Sequence, residues 1–103
     1  ESLDFTYVDD LVNGIILSAT SKKGFNETFN ITRGKAEKLF SFVKILSKNI
    51  DNIKFKVTNR DSFRPIRGTL SITKAKKLLK FKPKYSLEKG LEKYLDFLKN
   101  FRK

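Results

Sequence analysis

Residues 3–19 read LDFTYVDDLVNGIILSA, and this stretch decides the fold class because its periodicity changes partway along. Leu3, Phe5 and Tyr7 alternate with Asp4 and Thr6, the two-residue period of a half-buried strand. From Val12 onward the spacing of Val12, Ile15, Ile16 and Ala19 is that of one helical face, and Asp9 or Asp10 offers a carboxylate to cap its start. A strand feeding directly into an apolar helix is the unit from which mixed α/β folds are built. The helix is expected to stop near Gly24.

Working outward, ETFNIT over 27–32 supplies a second strand, and Arg33, Gly34 and Lys35 turn the chain into a helix carrying Leu39, Phe42, Val43, Leu46 and Ile50 at helical spacing. IKFKV over 53–57 alternates Ile53, Phe55 and Val57 with lysines, the pattern of an edge or one-sided strand. Pro65 keeps Arg64 out of the helical region of the backbone map, so the chain beyond Arg60 reads as a loop. Thr73 is placed to cap a short helix with Ala75, Leu78 and Leu79 inward, ended near Pro83. Ser86 is placed to cap a last helix with Leu87, Leu91, Tyr94, Leu95 and Leu98 on one side. No repeat or low-complexity tract interrupts this order, and the whole of 1–103 reads as one mixed α/β unit.

Composition narrows the chemistry. The 103 residues include ten Phe and are 39% hydrophobic, enough to fill a modest core. Neither Cys nor His is present, which removes disulfides, thiolate zinc sites, the commonest metal ligand and the usual proton shuttle. No signal-peptide pattern or bilayer-length apolar run occurs, and the chain lacks Met. It is expected to be a cytoplasmic piece whose start lies upstream, with no membrane partner.

Charge is unevenly spread. Of the formal net +12, residues 64–103 hold 13 basic and 3 acidic side chains, against 10 and 8 in residues 1–63. That bias suits an anionic partner, although lysines on solvated faces produce it too. A nucleic-acid module would interleave aromatics with cations or present Arg, Asn or Gln to base edges, whereas the basic helix here has only lysines. Nucleic acid is therefore the weaker reading. Glycines at 14, 24, 34, 68 and 90 stand too far apart for a dinucleotide or Walker-type phosphate loop. Asp9 and Asp10 suit capping better than an acid–base pair, and none of Tyr7, Tyr85 and Tyr94 has the setting of a catalytic base.

Three blocks, LDFTYVDDLVNGI (3–15), TFNITRG (28–34) and FRPIRGTLSITKAKKLLKFKPKYSLEKGLEKYLDFLK (63–99), together resemble the C-terminal portion of extended short-chain dehydrogenase/reductases, specifically nucleotide-sugar epimerases and dehydratases of the UDP-glucose 4-epimerase kind. The resemblance implies an NAD-binding N-terminal Rossmann domain, absent here, which would hold the cofactor and a Tyr-x-x-x-Lys catalytic pair. It also implies that these residues form the C-terminal substrate-binding part, covering a nucleotide-diphospho-sugar without performing chemistry alone. By position, Arg64 matches the arginine that clamps the substrate diphosphate, a task suited to its planar fork. Phe5 falls where the family often places an aromatic beside the nucleotide, and equally where alternation places a core residue. Leu3 stands where a second phosphate-binding Arg is common, and Arg67 is the nearby substitute. Ser71 and Lys38 replace an Asp and a Ser that usually precede their helices. Further partners implied are the chain's own Rossmann domain and a second copy in a homo-oligomer. A 4,6-dehydratase or related reductase and a non-catalytic nucleic-acid-binding module are the alternative readings.

Overall fold

A computed structural model describes residues 2–58, 63 and 67–101. The elements run β1 (Ser2–Leu3), α1 (Val8–Thr20), a single 3-10 turn (Lys22–Gly24), β2 (Glu37–Lys38), α2 (Leu39–Asn49), α3 (Thr73–Leu79) and α4 (Leu87–Phe101). The two short strands pair antiparallel, Ser2 with Lys38 and Leu3 with Glu37. The chain is thus a mixed α/β unit dominated by helices.

The core forms where α3 meets α1 and the chain leading out of α3. Ile72, Ala75, Leu79 and Phe81 are buried together, with Leu17, Phe29 and Ile31 against them. Phe81 reaches this centre because α3 ends sharply. Lys80 takes the left-handed conformation at φ +57°, and the N–H groups of Lys80 and Phe81 both turn back to the Ala75 carbonyl. Gly34 uses its own positive φ, +78°, to bring the backbone against Ile72.

Helices α2, α3 and α4 form where the periodicity places them, although Leu39 and Ile50 of the expected α2 face are exposed. Ala75 and Leu79 are inward, Leu91 is buried, and Ser86 accepts the Lys89 N–H at 3.1 Å as expected of an N-cap. Capping elsewhere differs from the sequence expectation. Thr73 is the first residue of α3, and the Ser71 hydroxyl, two residues earlier, meets its N–H. Tyr7 is the N-cap residue of α1 and makes no side-chain cap bond, so Asp9 and Asp10 lie inside the first turn. Lys38 likewise precedes α2 without capping it, as its lack of an acceptor requires.

The strands differ more. Of the expected strand over 3–8 only Leu3 is laddered, together with Ser2 before it, and neither 27–32 nor 53–57 is a strand. Segment 27–32 keeps the alternation, with Phe29 and Ile31 turned inward and Thr28 and Asn30 outward, yet no ladder partner exists for it among the described residues. A strand is completed by a second chain segment that its own sequence does not contain. Helix α1 also inverts expectation: Val12, Ile15 and Ile16 are exposed, whereas Asp10 and Gly14 are buried and Leu17 packs against the core. Tyr94, read as part of the core side of α4, is exposed as well.

The left-handed residue at 80 is a lysine, which pays a steric penalty that glycine avoids. Lys80→Gly is expected to raise stability by about 1 kcal/mol, measured as a higher urea midpoint at unchanged slope; an unchanged or lower midpoint would contradict this account of the α3 terminus.

Candidate functional site

The first site is assembled around Asp10. Its carboxylate is 2% exposed and accepts the backbone N–H groups of Lys84 and Tyr85 at 2.9 and 3.0 Å. One oxygen serves each donor, so the chain before α4 is held on the first turn of α1, where the helix dipole favours a negative group. Tyr85 is thereby brought beside Tyr7, with ring centroids 4.6 Å apart and planes 47° from parallel. Helix α4 crosses residue 7 at Gly90, where a Cβ would sit 3.2 Å from the Tyr7 Cβ. Only glycine permits this approach without displacement.

These contacts leave a cleft of about 690 Å³ between the 5–9 segment, α2 and α4. Its walls are largely aromatic: Phe5, Tyr7, Phe42, Tyr94 and Phe97 contribute, with Asp9 at the edge. Phe5 stacks on Phe42 at 5.3 Å and 14°. No Lys or Arg lines the cleft among the described residues, so its chemistry suits an apolar or aromatic group better than a phosphate.

The second site lies at the exit of the basic loop. The Leu70 N–H donates to Asp4 Oδ2 at 3.3 Å, and the Ala36 N–H donates to Thr69 Oγ1 at 2.7 Å. Both bonds tie residues 69 and 70 to the neighbourhood of the β1–β2 pair. Arg67 is exposed, three residues before Leu70 and so within roughly 11 Å of the anchor by chain length. Gly68 has open space around it. Asp4 Oδ1 is buried without a hydrogen-bond partner among the described residues. Arg64 lies outside the described residues, and so do Pro65 and Ile66.

The expected site residues are therefore spread over two environments. Asp4 turns to Leu70, three residues after Arg67, and its neighbour Phe5 turns to the aromatic cleft. One guanidinium was missed by sequence reasoning. Arg33 is a half-buried group whose Nη1 pairs with Glu37 Oε1 at 3.0 Å, and Glu37 is the cross-strand partner of Leu3. Its signal was the nearby Glu37, legible in the sequence but uninformative without the strand pairing that sets Glu37 opposite Leu3. No group of three or more acidic residues positioned to hold a metal occurs among the described residues, and no described helix is long and apolar enough to cross a membrane.

No protein-family model matches the sequence. The chain is 35% identical over 100 residues to the uncharacterized protein MJ1055 of Methanocaldococcus jannaschii, an alignment covering 94% of this chain and 30% of that protein. Among solved structures it is similar to epimerase Mth375 of Methanothermobacter thermautotrophicus, with TM-score 0.80 and 28% identity over 89% of this chain and 28% of the other. It is similar also to a mutant UDP-glucuronic acid 4-epimerase of Bacillus cereus in complex with UDP-4-deoxy-4-fluoro-glucuronic acid and NAD, with TM-score 0.80 and 28% identity over 97% of this chain and 32% of the other. The fold is epimerase-like, and the chain spans about 30% of the length of the proteins it matches.

The stacked ring pair gives a direct check on the cleft. A double-mutant cycle on Phe5→Ala and Phe42→Ala is expected to return a coupling of about 0.5–1.5 kcal/mol in unfolding free energy, whereas additive effects would mean that the two rings do not build a common wall.

Proposed function

We propose that this chain is the substrate-binding part of an NAD-dependent nucleotide-sugar epimerase similar to UDP-glucose 4-epimerase, and that it clamps the diphosphate of the sugar nucleotide. The observation that carries the reading is the similarity, over nearly all of this chain, to an epimerase solved with a UDP-sugar and NAD. The basic loop supports it. Arg64, Pro65, Arg67 and Gly68 group two guanidinium side chains with a rigid and a small residue in sequence, and of the residues that follow them Thr69 accepts the Ala36 N–H and Leu70 donates to Asp4. A planar fork on an anchored loop suits bidentate recognition of phosphate oxygens. We place the diphosphate at this segment and not in the aromatic cleft, whose lining includes no cation among the described residues.

The roles of this chain's residues follow from that placement. Arg64 donates to diphosphate oxygens, Arg67 adds a second positive group, and the Asp4–Leu70 bond holds the chain after Gly68 beside β1. NAD supplies hydride transfer when bound. The residues here do not build a cradle for it, because the glycines are isolated in sequence and Gly34 and Gly90 are committed to close packing. We accordingly assign NAD and the proton-transferring base to a Rossmann part outside these residues, with no step carried out by this chain alone.

In the enzyme reconstituted with that part, Arg64→Ala is expected to remove a charge-assisted bidentate contact worth about 1.5–3 kcal/mol, a roughly tenfold to hundredfold loss of UDP-sugar affinity. Lys76→Ala and Lys77→Ala, on the exposed side of α3, are expected to change it little. Calorimetric titration with a UDP-sugar and with a short oligonucleotide at two salt concentrations decides the matter. Unchanged nucleotide-sugar binding in Arg64→Ala, together with weaker oligonucleotide binding in the lysine variants, would replace the clamp by a nucleic-acid surface.

A further inference from the structure

The clamp of Arg64 and Arg67 does not use Arg33. The Arg33 side chain is 19% exposed, and among the described residues its guanidinium makes a single hydrogen bond, from Nη1 to Glu37 Oε1 at 3.0 Å. A guanidinium carries its several N–H donors in a planar fork, so most of them remain for another acceptor. Partial burial thins the water that could serve them and strengthens their attraction to an anion.

The backbone places this group beside the basic segment. Residues 30–36 run alongside 69–72 and touch them at three points. Asn30 Nδ2 donates to the Ser71 carbonyl at 3.2 Å, and the Ala36 N–H donates to Thr69 Oγ1 at 2.7 Å. Between these bonds Gly34 lies so close to Ile72 that a Cβ would meet its Cγ1 at 2.8 Å. Arg33 is therefore in the middle of a stretch tied at both ends to the residues that follow Gly68. Arg67 stands two residues before Thr69, within roughly 8 Å of it by chain length. Glu37 in turn lies opposite Leu3 in the β1–β2 pair, so the Arg33 fork is fixed to the same strand pair as the Asp4 carboxylate that accepts the Leu70 N–H.

Charge and shape name the group that fits. Lys35 and Lys38, the other cations of this stretch, are exposed, and exposed lysines contribute little. Arg33 differs because it is half-buried, its orientation is held by Glu37, and a planar fork can meet two phosphate oxygens at once. Cations on two adjoining segments suit an anion with two phosphoryl groups better than a single phosphate. Resting on the diphosphate reading, we propose that Arg33 is a binding residue for the phosphoanhydride. It engages one phosphoryl group from the 30–37 segment while the proposed clamp engages the other, and it thereby sets selectivity for nucleoside diphosphates over monophosphates.

The test uses the enzyme reconstituted with its Rossmann part and titrates UDP and UMP calorimetrically. Arg33→Gln is expected to weaken UDP by about tenfold or more and UMP by less than about threefold, because the charge-assisted contact is lost from the diphosphate alone. Arg33→Lys is expected to recover only part of that loss, since a point charge lacks the fork. Glu37→Gln breaks the same ion pair but keeps the cation, and is expected to raise UDP affinity by removing a competing carboxylate. A pair that merely braces the chain predicts instead that Glu37→Gln weakens UDP as much as Arg33→Gln does. Lys35→Gln is expected to stay within about threefold of the wild type. In the wild-type enzyme, mass-spectrometric mapping of phenylglyoxal modification is expected to show Arg33 shielded by UDP and not by UMP, a measurement that needs no variant to fold. The proposal is overturned if Arg33→Gln leaves UDP affinity unchanged, if Glu37→Gln loses it equally, if the UMP loss matches the UDP loss, or if UDP does not shield Arg33. Weaker UDP binding in Arg64→Ala with none in Arg33→Gln would overturn this assignment and leave the diphosphate reading standing, whereas a wild-type enzyme that binds no UDP would remove both.

Discussion

The buried carboxylate of Asp10 is the interaction on which the arrangement of the other parts depends. Sequence separates it by 74 and 75 residues from the two N–H groups it holds, so it joins the first helix to the approach of the last. A buried charge is costly unless its acceptor capacity is used, and here each oxygen has a backbone donor while the helix N-terminus adds favourable potential. The consequences reach outward in sequence. Fixing Lys84 and Tyr85 sets the Tyr7–Tyr85 pair, the crossing at Gly90 and the start of α4 at Ser86, and these together open the aromatic cleft. Loss of either oxygen would leave a part-buried donor without its partner.

A small core sits at the other side of the same helix. Four buried residues with three half-buried neighbours make a modest centre for 103 residues, and much apolar surface remains in water. Local devices support it. The αL turn at Lys80 delivers Phe81 to the centre, and the Ser86 cap starts α4 in the right place. The fold consequently leaves two apolar surfaces that its own core does not use: the aromatic cleft and the outer face of α1. Both are geometrically prepared, since each is held by side chains packed on the opposite side of the same elements.

The basic surplus is woven into this packing more than composition suggests. Lys74 pairs with Glu27 at 2.7 Å and lies over the Phe29 ring, and Lys93 lies over Tyr85 at 5.6 Å. Such exposed ion pairs contribute little each, and cation–π contacts of this kind contribute about 0.5–1 kcal/mol. Their effect is to give several lysines a local partner.

Sequence by itself determined the helices and their local punctuation. Periodicity placed α2, α3 and α4, Ser86 announced its cap, and Ala75 and Leu79 announced the inward side of α3, because each of these signals is contained within three or four neighbouring residues. The epimerase resemblance was legible for a related reason, since its blocks are contiguous. Tertiary structure alone decided which side of α1 is covered, that Asp10 clamps distant backbone instead of capping its own helix, and that Asp4 and Phe5, adjacent in sequence, turn to different surroundings. It also decided that 27–32 carries a strand's alternation without becoming a strand. The physical reason is common to all four: burial of a face, satisfaction of a carboxylate and completion of a ladder are each settled by a partner many residues away, and no window of the sequence contains both halves of such a contact.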